Sequence, residues 1–170
     1  MLQYHMQTNL TPQQKFLFDY IDSNARAIAL LGDSVFYFGE LGMQEFETAK
    51  LMTDLLEKGG FTVERGISGF PTGFCASYGS GSSVVAIHTE YDSCPDNSQA
   101  PGVPRQSFIV EGAPGHCEGH NVNGAVLVAA ALAARHAMAL RPQRHAQGIR
   151  RAGRGAADQP PLFRARRLVR

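Results

Sequence analysis

Val122 to Leu140 is built almost wholly from Ala, Val and Leu, and this stretch constrains the chain more than any other. Its longest apolar run, Ala125 to Ala134, is too short to span a bilayer and reads as a core helix that the remaining elements must cover. Directly before it stands Gly112-Ala113-Pro114-Gly115-His116-Cys117-Glu118-Gly119-His120-Asn121, where a carboxylate, two imidazoles and a thiol crowd into one Gly-rich turn. At the entrance to a buried helix such a turn can hold metal ligands rigidly, and the helix N-terminus favours an anion. Glu118 and His120 are two apart, so a carboxylate oxygen and an imidazole nitrogen can reach a common cation. Clusters of this kind also occur without a metal, and the spacing alone leaves both readings open.

With 170 residues and 44% hydrophobic content, the chain is long and apolar enough for one globular domain with a sizeable core. Cys75, Cys94 and Cys117 are unevenly spaced and do not read as a disulfide framework, which points to a reducing, cytoplasmic setting. The N-terminal Met-Leu-Gln-Tyr-His-Met-Gln has neither the basic nor the apolar segment of a signal peptide, and no membrane partner is expected. The overall charge of +1 hides a break. Residues 1–140 hold 7 Lys/Arg against 14 Asp/Glu, whereas residues 141–170 hold 9 Arg against the single Asp158.

Thr11-Pro12-Gln13-Gln14 carries the signals of a helix start: Thr as N-cap, Pro at the first helical position and Gln at the capping-box position. Phe16, Leu17, Tyr20, Ile21 and Ile28 continue it as a helical stripe. A second helix is predicted from about Met43 to Lys58, with Phe46, Leu51, Met52, Leu55 and Leu56 inward and Gly59-Gly60 as its stop. Short strands follow at Phe61–Glu64 and, after a turn rich in Gly and Pro, at Phe74–Tyr78. A hairpin loop at Gly79–Ser83 leads to Val84–Ile87, read as an interior strand. That strand runs into His88-Thr89-Glu90-Tyr91-Asp92, so Asp92 stands where open α/β sheets place functional groups. Capping the next turn is an equally good local role for Asp92. From Pro95 to Gly115 the chain reads as a loop long enough to suggest function. His88 reads as an ordinary polar residue, and His5, His136 and His145 have no chemical neighbours in sequence.

Four segments then fall in a telling order: Glu40-Leu41-Gly42-Met43-Gln44-Glu45-Phe46, Gly69-Phe70-Pro71-Thr72-Gly73-Phe74, Glu90-Tyr91-Asp92, and Gly115-His116-Cys117-Glu118-Gly119-His120-Asn121. Together they resemble the metal-dependent amidohydrolases and peptidases of the M20 family over about residues 12–140, most closely the subgroup of the aminobenzoyl-glutamate hydrolases. The resemblance implies an α/β catalytic domain, here partial, with a mixed sheet flanked by helices. Family members carry two metal ions, usually zinc or manganese, and a smaller lid domain that often dimerises and has no counterpart in these residues. By position, Asp92 resembles the aspartate that orients a metal-ligating imidazole, Glu118 the metal-bridging residue (Cys or Asp in many relatives), and His120 the metal-binding histidine. Glu90 stands where peptidase members have a ligating histidine, which implies a reorganised or mononuclear site. Cys94 stands where many relatives have Leu, which implies altered packing. The implied substrate is a small N-acyl or N-aroyl amino acid, such as p-aminobenzoyl-glutamate, whose amide is hydrolysed.

The family's Pro-Ala-Glu-Glu segment, which supplies a metal ligand and the general base, is not found in these 170 residues. Shifting the reading frame by one base, with free choice of synonymous codons, lets Arg144 to Arg154 encode Gly-Thr-Leu-Lys-Val-Phe-Gly-Ala-Pro-Glu-Glu, which closely resembles it. The expectation is therefore a catalytic-domain fragment at 1–140 followed by an unrelated, frameshifted, disordered Arg-rich tail at 141–170, inactive by itself. A rival class is a nucleic-acid or anionic-surface binder using the tail. Arg density supports it, and the lack of interleaved aromatics beyond Phe163 counts against it. A self-contained metal-binding module is a third reading, for which Glu118 and His120 offer too few ligands.

Overall fold

Thr11 opens the first helix through both halves of a capping box: Gln14 N donates to Thr11 Oγ1 (3.2 Å) and Thr11 N to Gln14 Oε1 (2.9 Å). The computed structural model of the protein describes residues 10–80, 84–139 and 163–166. Helix α1 spans Pro12–Ser23 and α2 spans Ala25–Phe38. The stripe expected to continue through Ile28 is split at Asn24, whose backbone leaves the helical region (φ −108°, ψ 7°) while its Nδ2 donates to Tyr20 O at 2.8 Å. This side chain competes with the helical ladder for the carbonyl, which ends α1 and lets α2 set off afresh. Gly39, left-handed at φ 53°, closes α2.

Helix α3 spans Phe46–Lys58, three residues later than expected at its start. Met43 adopts φ 73°, which no helix accommodates, and Gln44 N turns back to Leu41 O (2.9 Å). Phe46 was expected inward but is 58% exposed, because the inward place at the helix entry belongs to Glu45, fully buried and accepting a short hydrogen bond from Thr72 Oγ1. Met52 and Leu56 are fully buried as expected. The predicted Gly59-Gly60 stop is a Schellman ending: Gly60 N donates to Glu57 O (2.8 Å) and Phe61 N to Leu56 O (3.0 Å).

The sheet is mixed, in the order β1 (Thr62–Arg65), β2 (Phe74–Tyr78), β4 (Phe163–Arg166), β3 (Ala86–Ile87). β1 and β2 are antiparallel with Val63 opposite Ala76, β2 and β4 are antiparallel, and β4 runs parallel to β3. Two expectations are corrected here. The 84–87 segment is an edge strand reduced to Ala86–Ile87, with Val84 and Val85 about half exposed, since its outer side carries no strand among the described residues. The 79–83 segment accordingly does not join neighbouring strands, and residues 81–83 lie outside the described set. Of the tail expected to be disordered, Phe163–Arg166 instead occupies the gap between β2 and β3, whose facing backbone groups would otherwise be open edges. The remaining tail residues lie outside the described set.

Helix α4 spans His120–Ala139 and packs against α1, α2 and α3. It crosses α2 at Gly32, where an added methyl would lie 3.6 Å from Ala125 Cβ, and Asn121 Nδ2 donates to Gly32 O (3.3 Å). Across from α3, Gly124 leaves room for Met52, whose sulfur would stand 3.3 Å from a methyl added there. Ala125, Leu127, Val128 and Ala131 join Leu31, Val35, Met52, Leu56 and Tyr91 in the core. No helix among the described residues is long and apolar enough to cross a membrane.

Met52 holds α3 to α4 with no exposed surface of its own. Met52→Ala is expected to destabilise the protein by about 2–5 kcal/mol, the range for a long core side chain whose cavity cannot collapse. Urea denaturation followed by circular dichroism checks it, and a loss under about 1 kcal/mol would show that the interface repacks.

Candidate metal centre

Tyr91 sets the geometry. Its side chain is buried, its hydroxyl donates to Thr72 O at 2.5 Å and its ring stacks on Phe74 at a 5.8 Å centroid separation. In an extended segment alternate residues face opposite ways, so an inward Tyr91 turns Glu90 and Asp92 together to the other side. The backbone beyond is then fixed twice. Ser93 N donates to Glu40 O (2.8 Å), and Cys94 exchanges hydrogen bonds with Gly115, each 3.0 Å long. Glu40 reaches further, its carboxylate accepting from Glu47 N and Thr48 N (both 2.9 Å), so it caps α3 and ties that helix to the 90–94 segment.

Gly115 is held where no side chain fits: an added Cβ would collide with Asn97 O and lie 2.8 Å from Ser98 N. This contact seats the 115–119 turn against the 93–98 segment and delivers His120 as the first residue of α4. His116 serves packing. Its Nε2 lies 3.0 Å from Val35 O, which can only accept, so that nitrogen carries the proton, and the ring stacks on Phe36. Burial holds its pKa below the usual imidazole value.

The structure brings Asp92, Glu118 and His120, the three residues singled out in the sequence, into one group, and adds Glu90. His120 Nδ1 lies 3.2 Å from Asp92 Oδ1, while His120 Nε2 lies 3.2 Å from Glu90 Oε2 and 3.5 Å from Glu118 Oε2. A neutral imidazole has one donor and one acceptor nitrogen, and carboxylates only accept. With Nδ1–H given to Asp92, the lone pair of Nε2 points toward two carboxylates, an arrangement that a proton or a cation between them relieves. The donor set therefore fits a divalent cation. Read from the sequence alone, Glu90 has no site role, although the Glu-x-Asp alternation around an apolar Tyr is the signal that both carboxylates share a face.

A second group adjoins the first. Ligand atoms of Cys94, Cys117 and Glu118 all lie within 4.8 Å of one another. The Cys94 thiol is pushed up to about 11, chiefly by its hydrogen bond with Cys117 and then by burial. Beside Glu90, Ile87, His88, Thr89, Asn123, Val126, Leu127 and Ala130 line a cavity of about 330 Å³. Another cavity, of about 390 Å³ between α3 and β2, is lined by Lys50, Asp54 and Arg65 and includes none of these groups.

No protein-family model matches the chain. Over 119 residues, 70% of its length, it is 34% identical to the B-type subunit of p-aminobenzoyl-glutamate hydrolase from Escherichia coli (strain K12), of which it spans 25%. Its fold is similar to that of a putative aminohydrolase from methicillin-resistant Staphylococcus aureus (TM-score 0.61, 18% identity), covering 72% of this chain and 31% of that one. It is also similar to a dinuclear metal binding peptidase of the M20 family from Bacillus subtilis (TM-score 0.54, 20% identity), covering 89% of this chain and 35% of that one. The chain thus spans about a quarter of the curated relative and about a third of each solved structure.

The Gly115 contact makes a sharp expectation. Gly115→Ala should cost roughly 1–3 kcal/mol, because backbone rather than a flexible side-chain tip must move. Gly42→Ala, whose methyl would stand 3.5 Å from Asp92 Oδ2 in ordinary contact, should stay within about 0.5 kcal/mol of the parent. Paired urea titrations of the two variants test this, and equal midpoints would show that Gly115 does not seat the turn.

Proposed function

We propose, from the chain's homology to the M20-family metal-dependent amidohydrolases and peptidases, that residues 1–140 are the N-terminal part of a metal-dependent amide hydrolase domain. In this reading Glu118 and His120 hold a divalent cation, zinc or manganese, and Asp92 orients His120. The observation that carries it is the His120 ring itself, with Asp92 3.2 Å from one nitrogen and the Glu90 and Glu118 carboxylates within 3.5 Å of the other. When bound, the cation supplies Lewis-acid polarisation of an amide carbonyl.

The chain's own residues do the positioning. Asp92 fixes the tautomer that leaves Nε2 free to ligate, and a carboxylate behind a ligating imidazole also raises its basicity. Glu118 stands just before the N-terminus of α4, where the helix dipole favours its negative charge. The cavity beside Glu90 has an apolar wall of Ile87, Val126, Leu127 and Ala130, which suits the acyl or aryl side of an N-acyl or N-aroyl amino acid such as p-aminobenzoyl-glutamate. These 170 residues hold no Pro-Ala-Glu-Glu segment to supply the general base, so as written they are catalytically incomplete. The basic stretch 141–170 is read as frameshifted, its charge break being the support, and the pairing of Phe163–Arg166 with β2 and β3 is the observation against its being wholly unrelated to the domain. Free thiols and a small-molecule substrate accord with a cytoplasmic setting.

Manganese, which thiolates bind poorly, isolates the His120 group. Titration of the protein with Mn²⁺, read by the electron paramagnetic resonance of the free ion, should show binding that His120→Ala and Glu118→Ala each weaken by about tenfold or more. Undiminished binding in His120→Ala would remove the assignment. With Mn²⁺ or Zn²⁺ present, the chain should turn over p-aminobenzoyl-glutamate at least about 10²-fold more slowly than a frame-restored version, since proton transfer alone is commonly worth that much.

A further inference from the structure

Cys94 and Cys117 come from separate segments that are clamped to each other. The paired hydrogen bonds between Cys94 and Gly115 fix the first, and Gly115, packed without a side chain against Asn97 and Ser98, fixes the turn that carries the second. The two sulfurs and a Glu118 oxygen lie within 4.8 Å of one another, with Cys94 partly buried and Cys117 and Glu118 open to solvent. Tetrahedral zinc, with Zn–S near 2.3 Å and Zn–O near 2.0 Å, sets two ligating sulfurs about 3.8 Å apart and a sulfur and an oxygen about 3.5 Å apart, so side-chain rotations closing the group by about 1.3 Å at most would complete three corners. Because Cys117 and Glu118 are exposed, a cation can reach the group from solvent. Two thiolates and a carboxylate carry three formal negative charges, and cation binding would displace the thiol protons.

We propose that Cys94, Cys117 and Glu118 form a thiolate-bearing site for a soft or borderline divalent cation such as zinc, distinct from the His120 group and sharing only Glu118 with it. Cys94 then does more than alter packing at a position where Leu would serve. Cys75, buried in β2, is not a member of the group and supplies the internal control. The site shares one carboxylate with the amide hydrolase reading and is otherwise independent of it, because neither cysteine has a part there.

The test uses the full chain, reduced with a phosphine and freed of metal by a chelator, titrated with Cd²⁺ and followed by the near-ultraviolet sulfur-to-cadmium absorption. One equivalent should saturate the band. Cys94→Ser and Cys117→Ser should each weaken binding by about tenfold or more, whereas Cys75→Ser and His120→Ala should leave it unchanged. Absence of the band, its survival in the double Cys94→Ser, Cys117→Ser variant, or its loss in Cys75→Ser would overturn the proposal. Loss in His120→Ala would overturn it too, by showing one site instead of two. Cd²⁺ should also protect Cys94 and Cys117 of the unmodified chain from iodoacetamide, mapped by mass spectrometry. Equal alkylation with and without Cd²⁺ would be decisive against the site and needs no variant to fold. The Mn²⁺ titration reports on His120 alone, so failure there with the Cd²⁺ band intact would sink the hydrolase assignment and leave the thiolate site standing.

Discussion

Close approach of α4 to two other helices is the contact on which the rest depends. A helix of mostly Ala and Val offers little side-chain volume, so it gains packing only where its neighbours come near. Gly32 on α2 and Gly124 on α4 itself permit this, the first against Ala125 and the second against the Met52 thioether. Because the crossing is at the N-terminal half of α4, the turn that begins with His120 runs directly into packed helix. A ligand at the start of a firmly packed helix needs little further ordering when a cation arrives.

The same economy governs the strand side. Tyr91 is anchored by Thr72 through its hydroxyl and by Phe74 through stacking on its ring, and the alternation of side chains about it turns Glu90 and Asp92 the same way, both to His120. Glu40 then couples this strand to the first turn of α3. Three carboxylates converge on one imidazole as a result. A proton on the ring or a cation between the groups relieves this concentration of negative charge, and the proposed function takes the second course.

Local chemistry was legible in the sequence wherever a single turn of chain decided the outcome. The capping box at Thr11, the Gly59-Gly60 stop and the β2 span Phe74–Tyr78 were all plain from the residues themselves. Features decided by competition were not. Asn24 could continue a helix or take its neighbour's carbonyl, and nothing in the stripe of Phe16 to Ile28 says which. Phe46 has the right spacing to face inward, yet the buried place went to Glu45 because Thr72, far away in sequence, supplies a donor. Val84 and Val85 form an apolar run typical of an interior strand, but sheet order placed them at an edge. At the site, spacing singled out Glu118 and His120 without deciding for a metal, and a role for Asp92 beside them rested on the family resemblance. Glu90 and Cys94 acquire a chemical meaning only when Tyr91 and Gly115 have fixed which way they face.

Glu118 occupies the junction of the two ligand groups, and this bears on the choice of metal. The His120 side offers an imidazole and carboxylates, ligand types that both manganese and zinc accept, so ligand type alone does not choose there. The Cys94–Cys117 side offers sulfur, which manganese takes poorly and zinc takes well. A carboxylate has two oxygens and can face both sides at once, one oxygen toward each group. If both groups bind, zinc on the sulfur side draws charge from Glu118 and weakens its attraction for a second cation at His120. The two sites would then be antagonistic unless the shared carboxylate bridges with one oxygen to each, and occupancy of the His120 group would depend on whether the thiolate site had filled first.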